Sequence, residues 1–286
     1  MDYIIRTIAK DAGVRAMACI STELSAEGAR RHATQPTATV ALGRALTGAA
    51  LLGALLKVRH RLALKFEGSG PIQKMIVEAD AYGKVRGYIA NPAVDGGTGL
   101  YDLQKAMGEG ILTVVKDVKM KDLMESVVPL VTSLIDEDLE FYLNQSEQIA
   151  SAVQVGVVLG PEGEIAVAGG VLIQNLGDQK GETIHLLAER LQEMPPVAEL
   201  LHSGQTPETI LAQLFGDIPY EVLEKRPLVF KCECSRERSE GALRSLGREE
   251  VQQLFEEGQA IVDCHFCHER YFFTRDDLEL LLDELP

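Results

Sequence analysis

Short stretches of alternating apolar and polar residues fill the first part of the chain, with the period of two expected of half-buried strands. Tyr3 to Ile8 and Val14 to Ile20 flank an Asp11-Ala12-Gly13 turn, and Leu62, Leu64 and Phe66 alternate before Gly68-Ser69-Gly70-Pro71. Met75, Val77 and Ala79 repeat the pattern, and Tyr82-Gly83-Lys84 leads into Val85 to Ile89. Further strands are predicted at Leu112 to Val118, Ala152 to Leu159 and Glu164 to Gly170. Two segments break the alternation. Pro36 to Lys57, rich in Ala and Leu, predicts a closely packed helix, and Asp136 to Gln145 has helical spacing. The expected fold is α+β: a mostly antiparallel-sheet core domain with packed helices over residues 1–178.

The pattern changes over residues 179–230. Ile184, Leu187, Leu191 and Met194 share one helical face, and Pro195-Pro196 ends that helix. Val197, Leu200 and Leu201 follow. Thr206 offers an N-cap, Pro207 suits the first helical position, and Ile210, Leu211, Leu214 and Phe215 form an apolar side before Gly216. Helices shorter than about 12–15 residues are marginal alone, so this amphipathic helical linker needs a neighbour to dock on. It reads either as a plain structured connector or as a segment held near its folding threshold.

Residues 231–286 form a third region, whose chemistry lies in two cysteine pairs. Cys232-Glu233-Cys234 and Cys264-His265-Phe266-Cys267 together supply four thiolates, the donor set of a tetrahedral structural zinc site. Helices at Arg236 to Leu246 and Arg248 to Glu257 are predicted between the pairs. Ala260 to Val262 and Tyr271 to Phe273 are strand-like pieces around the second pair. The close spacing within each pair also permits a disulfide. A zinc site whose ligands can pair off is a candidate redox switch. From Cys232 onward the module has 55 residues. A core of that size supplies about 3–5 kcal/mol unaided, against about 10–16 kcal/mol from a structural zinc, so loss of the metal is expected to unfold it.

Other readings of the cysteines fit less well. Cys264-His265-Phe266-Cys267-His268 matches a c-type haem attachment sequence but leaves Cys232 and Cys234 without a role. A thioredoxin-like pair opens a helix in a βαβ unit, whereas this pair lies between strand-like pieces. His265 and His268 are redundant with four sulfurs and are expected beside the metal or facing solvent. Cys19, alone on a strand, is expected to be buried and inert. Gly96-Gly97-Thr98-Gly99 lacks phosphate-loop spacing and reads as a turn. Asp136-Glu137-Asp138 is expected to start a helix, where acids favour the dipole. No nucleophile, base and acid constellation stands out, so no enzyme is expected.

Charge narrows the partners. The chain carries a net −15, and the segment from Cys232 onward holds 6 basic and 14 acidic residues, which argues against a nucleic-acid partner. The most apolar run, Ala41 to Val58, leaves an uncharged stretch of 12 residues from Ala45 to Leu56, too short for the roughly 20 of a membrane span. The N-terminal residues show no signal pattern. A reducing, cytoplasmic setting is expected, where clustered thiols mean metal, catalysis or sensing.

Cys232-Glu233-Cys234-Ser235-Arg236-Glu237 with Cys264-His265-Phe266-Cys267 resembles the zinc centre of the thirty-three-kilodalton heat-shock protein family, the HslO-type redox-regulated chaperones. Leu42-Gly43-Arg44-Ala45-Leu46-Thr47, Asp138-Leu139-Glu140-Phe141-Tyr142-Leu143, Ser146-Glu147-Gln148 and Ala168-Gly169-Gly170 resemble its core motifs in order. Thr206-Pro207-Glu208 and Leu214-Phe215-Gly216 are similar to its connector. Gln174-Asn175-Leu176-Gly177 departs from the proline-containing turn usual there. The resemblance implies an ATP-independent holdase that is inactive while reduced and bound to one zinc through Cys232, Cys234, Cys264 and Cys267. It further implies that oxidation pairs Cys264 with Cys267 and Cys232 with Cys234, that zinc release unfolds the module and loosens the linker, and that the active form, a homodimer, binds unfolded client proteins. A constitutive zinc-module adaptor for a fixed protein partner is the alternative.

Overall fold

The protein is described from a computed structural model covering residues 1–96, 103–177 and 181–285. The chain divides into two compact units, Met1–Lys231 and Cys232–Pro286. The expected boundary at 178/179 and most of the glycine-rich turn at 96–99 lie outside the described residues.

The first unit opens with β1 (Tyr3–Ala9), β2 (Val14–Ile20), α1 (Thr22–His32) and α2 (Pro36–Gly53). A meander of β3 (Arg61–Gly68), β4 (Lys74–Asp80) and β5 (Lys84–Ile89) follows. Next come α3 (Leu103–Met107), β6 (Gly110–Asp117), β7 (Met124–Pro129) and α4 (Ile135–Gln145). The hairpin of β8 (Ser151–Leu159) and β9 (Ile165–Asn175) leads to α5 (Glu182–Glu193), α6 (Val197–His202) and α7 (Pro207–Phe215). β10 (Glu221–Pro227) and β11 (Val229–Phe230) end the unit. One sheet has the order β10-β1-β2-β9-β8 and the other β11-β5-β4-β3-β6-β7. Among the described pairings in these sheets, β11 with β5 is parallel and the rest are antiparallel. The α+β expectation is met.

Helix α2 lies between the two sheets and is buried on nearly every side, which explains why its sequence lacks a polar face. Small residues let neighbours approach: a methyl at Gly48 would stand 2.4 Å from Leu139 Cδ1. The helix stops at Gly53, four residues before the predicted end, because Leu55 and Leu56 turn back onto the Leu52 and Gly53 carbonyls. Periodicity missed α1, α3, β7, β10 and β11. Strand β10 is mostly exposed and is held through backbone pairing with β1, so it carries no apolar alternation to read.

The outer face of the five-stranded sheet presents Ile5, Ala16, Ala18, Val171 and Ile173, and α5, α6 and α7 cover it. Leu187, Ile210, Leu211, Leu214 and Phe215 are fully buried there, each contributing about 1.5–3 kcal/mol. Thr206 caps α7 with a reciprocal Thr209 bond. Arg190 Nη1 on α5 donates to the Leu214 and Phe215 carbonyls at 3.1 and 2.7 Å, which satisfies the end of α7. The linker therefore packs in cis on its own sheet.

A clamp joins the start of α7 to β1 and β10. Tyr3 Oη donates to Glu208 Oε2 at 2.5 Å and Lys225 Nζ to Oε1 at 2.8 Å; the ammonium sits 3.8 Å from the Tyr3 ring centroid. Burial by itself would raise the Glu208 carboxyl, but the bonds from Lys225 and Tyr3 outweigh it and hold the group at about 2, against 4.5 ordinarily. A depressed carboxyl stabilises the fold fully above its unfolded value and loses that contribution as pH falls through the folded one. Because the pair is partly exposed, Glu208→Gln is expected to cost α7 docking about 1 kcal/mol at neutral pH. Amide exchange across residues 207–215 measures this, and the gap between variant and wild type should close as pH drops from 4.5 toward 2.

The acidic run at 136–138 has structural roles. Asp136 pairs with Arg44 at 2.5 Å, and Asp138 Oδ1 accepts the Val131 and Thr132 N–H groups. Asn144, Glu140 and Asp136 accept the N–H groups of Ser151, Val153 and Val155 on edge strand β8, closing that edge to further pairing.

Candidate metal centre

The second unit contains α8 (Arg236–Leu246), α9 (Arg248–Glu257), β12 (Gln259–Asp263), β13 (Arg270–Thr274) and α10 (Arg275–Glu284). Its apolar core is small: Leu243, Val251, Ala260, Phe273, Leu278, Leu281 and Leu282. Both predicted helices lie at the expected residues, and α10 was not foreseen. Strands β12 and β13 pair antiparallel, so the second cysteine pair occupies the hairpin loop between them. There the Cys264 N–H donates to Glu269 O at 2.9 Å and the His268 N–H to Cys264 O at 2.8 Å. His268 has φ +56°, a left-handed turn that folds the loop back on itself.

Cys232 and Cys234 precede α8, whose cap is Ser235, accepting the Arg238 N–H. Arg238 Nη1 donates to Glu233 O at 2.7 Å, bracing the backbone between the two sulfurs. Arg236 stacks 4.4 Å from the Phe273 ring centroid, pairs with Asp277 at 2.8 Å and donates to the Phe272 carbonyl. This arginine ties the first cysteine pair to the strand that follows the second.

The four sulfurs Cys232, Cys234, Cys264 and Cys267 lie within 4.8 Å of one another. Cys232 to Cys264 is 3.7 Å and Cys234 to Cys267 is 3.3 Å. A tetrahedron with zinc–sulfur bonds of about 2.3 Å has edges of about 3.8 Å, whereas a disulfide needs about 2.05 Å. None of the four is joined in a disulfide, so the donor set fits a zinc ion. Burial pushes the Cys264 thiol up, against backbone N–H groups of Phe266 and Cys267 that favour its thiolate. Burial also pushes Cys267 up, and the neighbouring thiols add to it. Four thiolates therefore need a cation among them. His265 and His268 are exposed and stand outside the four-sulfur cluster.

Tyr271 belongs to the site although its spacing gave no sign of it. Its hydroxyl donates to Cys234 Sγ at 3.1 Å, and this bond raises the phenol above its ordinary range. Groups that orient a ligand from outside typically hold about 10–100-fold in metal affinity. Tyr271→Phe is expected to weaken zinc binding about tenfold, read by competition with a chromogenic chelator. Cys19 is 1 % exposed on β2, and burial pushes its thiol up to about 12, an inert side chain. No helix among the described residues is long and apolar enough to cross a membrane.

The Hsp33 protein family model matches residues 2–274. The 33 kDa chaperonin of Geobacter sulfurreducens is 50% identical, over 99% of this chain and 96% of that protein. The Bacillus subtilis 33 kDa chaperonin is 43% identical, over 99% of each. The crystal structure of the Thermotoga maritima 33 kDa chaperonin, a heat shock protein 33 homologue, superposes with a TM-score of 0.91 at 35% identity, covering 98% of each chain. With a family model spanning nearly all of its length and close relatives aligned end to end, the chain belongs to the Hsp33 family of chaperones.

Proposed function

We propose that this protein is a redox-regulated, ATP-independent holdase that captures unfolding proteins after oxidation of its four-cysteine centre. The observation that carries this reading is four unbridged sulfurs clustered in a module whose apolar core has seven buried residues among those described. Bound zinc would supply most of the folding free energy of such a module. Cys232, Cys234, Cys264 and Cys267 hold the ion while reduced. Under oxidants of the peroxide class, Cys232 pairs with Cys234 and Cys264 with Cys267. Each pair of thiolates forms one sulfur–sulfur bond and gives two electrons to one peroxide, which takes up two protons and becomes two waters. The donor set is then gone and the module loses its fold.

The chain runs from β10 through β11 directly into Cys232, so an unfolded module leaves these weakly buried strands without a fixed C-terminal end. Release of β10 takes Lys225 from Glu208, and the marginal α7 follows. The apolar faces of α5–α7 and of the sheet beneath become the client surface. The protein works in the cytoplasm, its active form a homodimer, without catalysis and without membrane or nucleic-acid partners; the net charge of −15 agrees with the last of these.

Light scattering of an aggregating client, read with zinc content and free thiols before and after peroxide, tests the reading. Suppression should appear only after oxidation, with one zinc released and four thiols lost per chain. Equal suppression before and after, with the metal retained, would mark a constitutive adaptor instead.

A further inference from the structure

Arg15 on β2 is a half-buried cation without an acidic partner among the described residues. Its Nε and Nη2 both donate to Gln174 Oε1, at 3.0 and 2.7 Å. Gln174 is itself fully buried, and its amide nitrogen donates to Ser151 Oγ at 3.0 Å, so the guanidinium is held in one orientation by a neutral group. Arginine does not shed its proton in proteins, and an unpaired charge out of water is costly. Burial and the nearby Arg6 both press on Arg15 in the same direction.

Beside this cation is a cavity of about 140 Å³. Leu52, Leu55, Leu56 and Leu62 form its apolar walls. The remaining charges facing it, Lys116 and Glu147, are bonded to each other at 2.7 Å, and Glu147 also accepts the Tyr142 hydroxyl. That leaves one positive charge uncompensated. A cavity of about 150 Å³ admits a benzene-sized guest.

We propose that this cavity is a binding site for a small amphiphilic carboxylate, its head on Arg15 and an apolar tail of about five carbons among the leucines. The guanidinium fork matches a carboxylate, and the leucine walls disfavour a hydrated inorganic anion.

Isothermal titration of hexanoate into the reduced, zinc-loaded full-length protein tests the site without exposing the switch to oxidant, so the outcome is independent of holdase activity. Hexanoate is expected to saturate one site. Acetate, which lacks the tail, and hexanol, which lacks the charge, should bind about tenfold or more weakly. Arg15→Gln should lose about tenfold or more in hexanoate affinity. Leu56→Phe fills the cavity, leaves the charge in place and should abolish the preference for hexanoate over acetate. Absence of saturable heat, equal binding of hexanol and hexanoate, or unchanged binding in the folded Leu56→Phe variant would overturn the proposal.

Discussion

Chelating the metal from the reduced protein is expected to unfold residues 232–286 while the sheet core of the first unit stays folded. The module's apolar core consists of seven buried residues, and cores of domains this small supply only about 3–5 kcal/mol. A four-thiolate zinc site contributes about 10–16 kcal/mol, so removing it takes away more stability than the module retains. Cys267→Ser should act in the same direction without a chelator, because Cys267 is the buried member of the set and a hydroxyl is a poor substitute for a thiolate. Amide exchange is the measurement. Protection across Arg236–Leu246 and Arg275–Glu284 should vanish, while Leu62, Leu64 and Phe66 of β3, fully or nearly fully buried, keep theirs. Retained protection in α10 of the metal-free protein would show that packing rather than metal holds the module.

Leu214→Asp is expected to make the reduced, zinc-loaded protein active without oxidant. Leu214 is fully buried against the five-stranded sheet, and its carbonyl accepts Arg190. A carboxylate at that position costs several kcal/mol if it stays buried, more than the docking of a nine-residue helix can withstand. Helix α7 should therefore detach and uncover Leu211, Phe215 and the sheet residues beneath. Client aggregation should be suppressed at about the level of oxidised wild type, with zinc content unchanged. If α7 loses exchange protection but suppression does not appear, the surface under the linker is not where clients bind.

Much of both units was legible locally. Alternation at Leu62, Leu64 and Phe66 reports which side of a strand meets a core, and Thr206-Pro207 marks where a helix starts whatever it packs on. The predicted helices α8 and α9 coincide with the observed ones because their boundaries are set by Ser235, Gly247 and Gly258. Exposed strand β10 was invisible because backbone pairing leaves no trace in side-chain polarity. Tyr271 was read only as a strand position, since nothing in a strand's alternation says that one hydroxyl reaches a sulfur 37 residues earlier.

The sequence by itself determined the two cysteine pairs and their close spacing, because that spacing is covalent. It likewise determined that the linker helices are short, capped and amphipathic, because these are local properties of side chains and backbone. Which sulfurs face each other across the pairs was decided only in three dimensions, by a hairpin loop brought to the start of α8 through Arg236. So was the docking of α5–α7 on their own sheet, the clamp of Tyr3 and Lys225 on Glu208, and the isolation of Arg15 beside a leucine cavity. An apolar face records that it must be covered. What covers it depends on contacts between residues far apart in the chain, which no local pattern encodes.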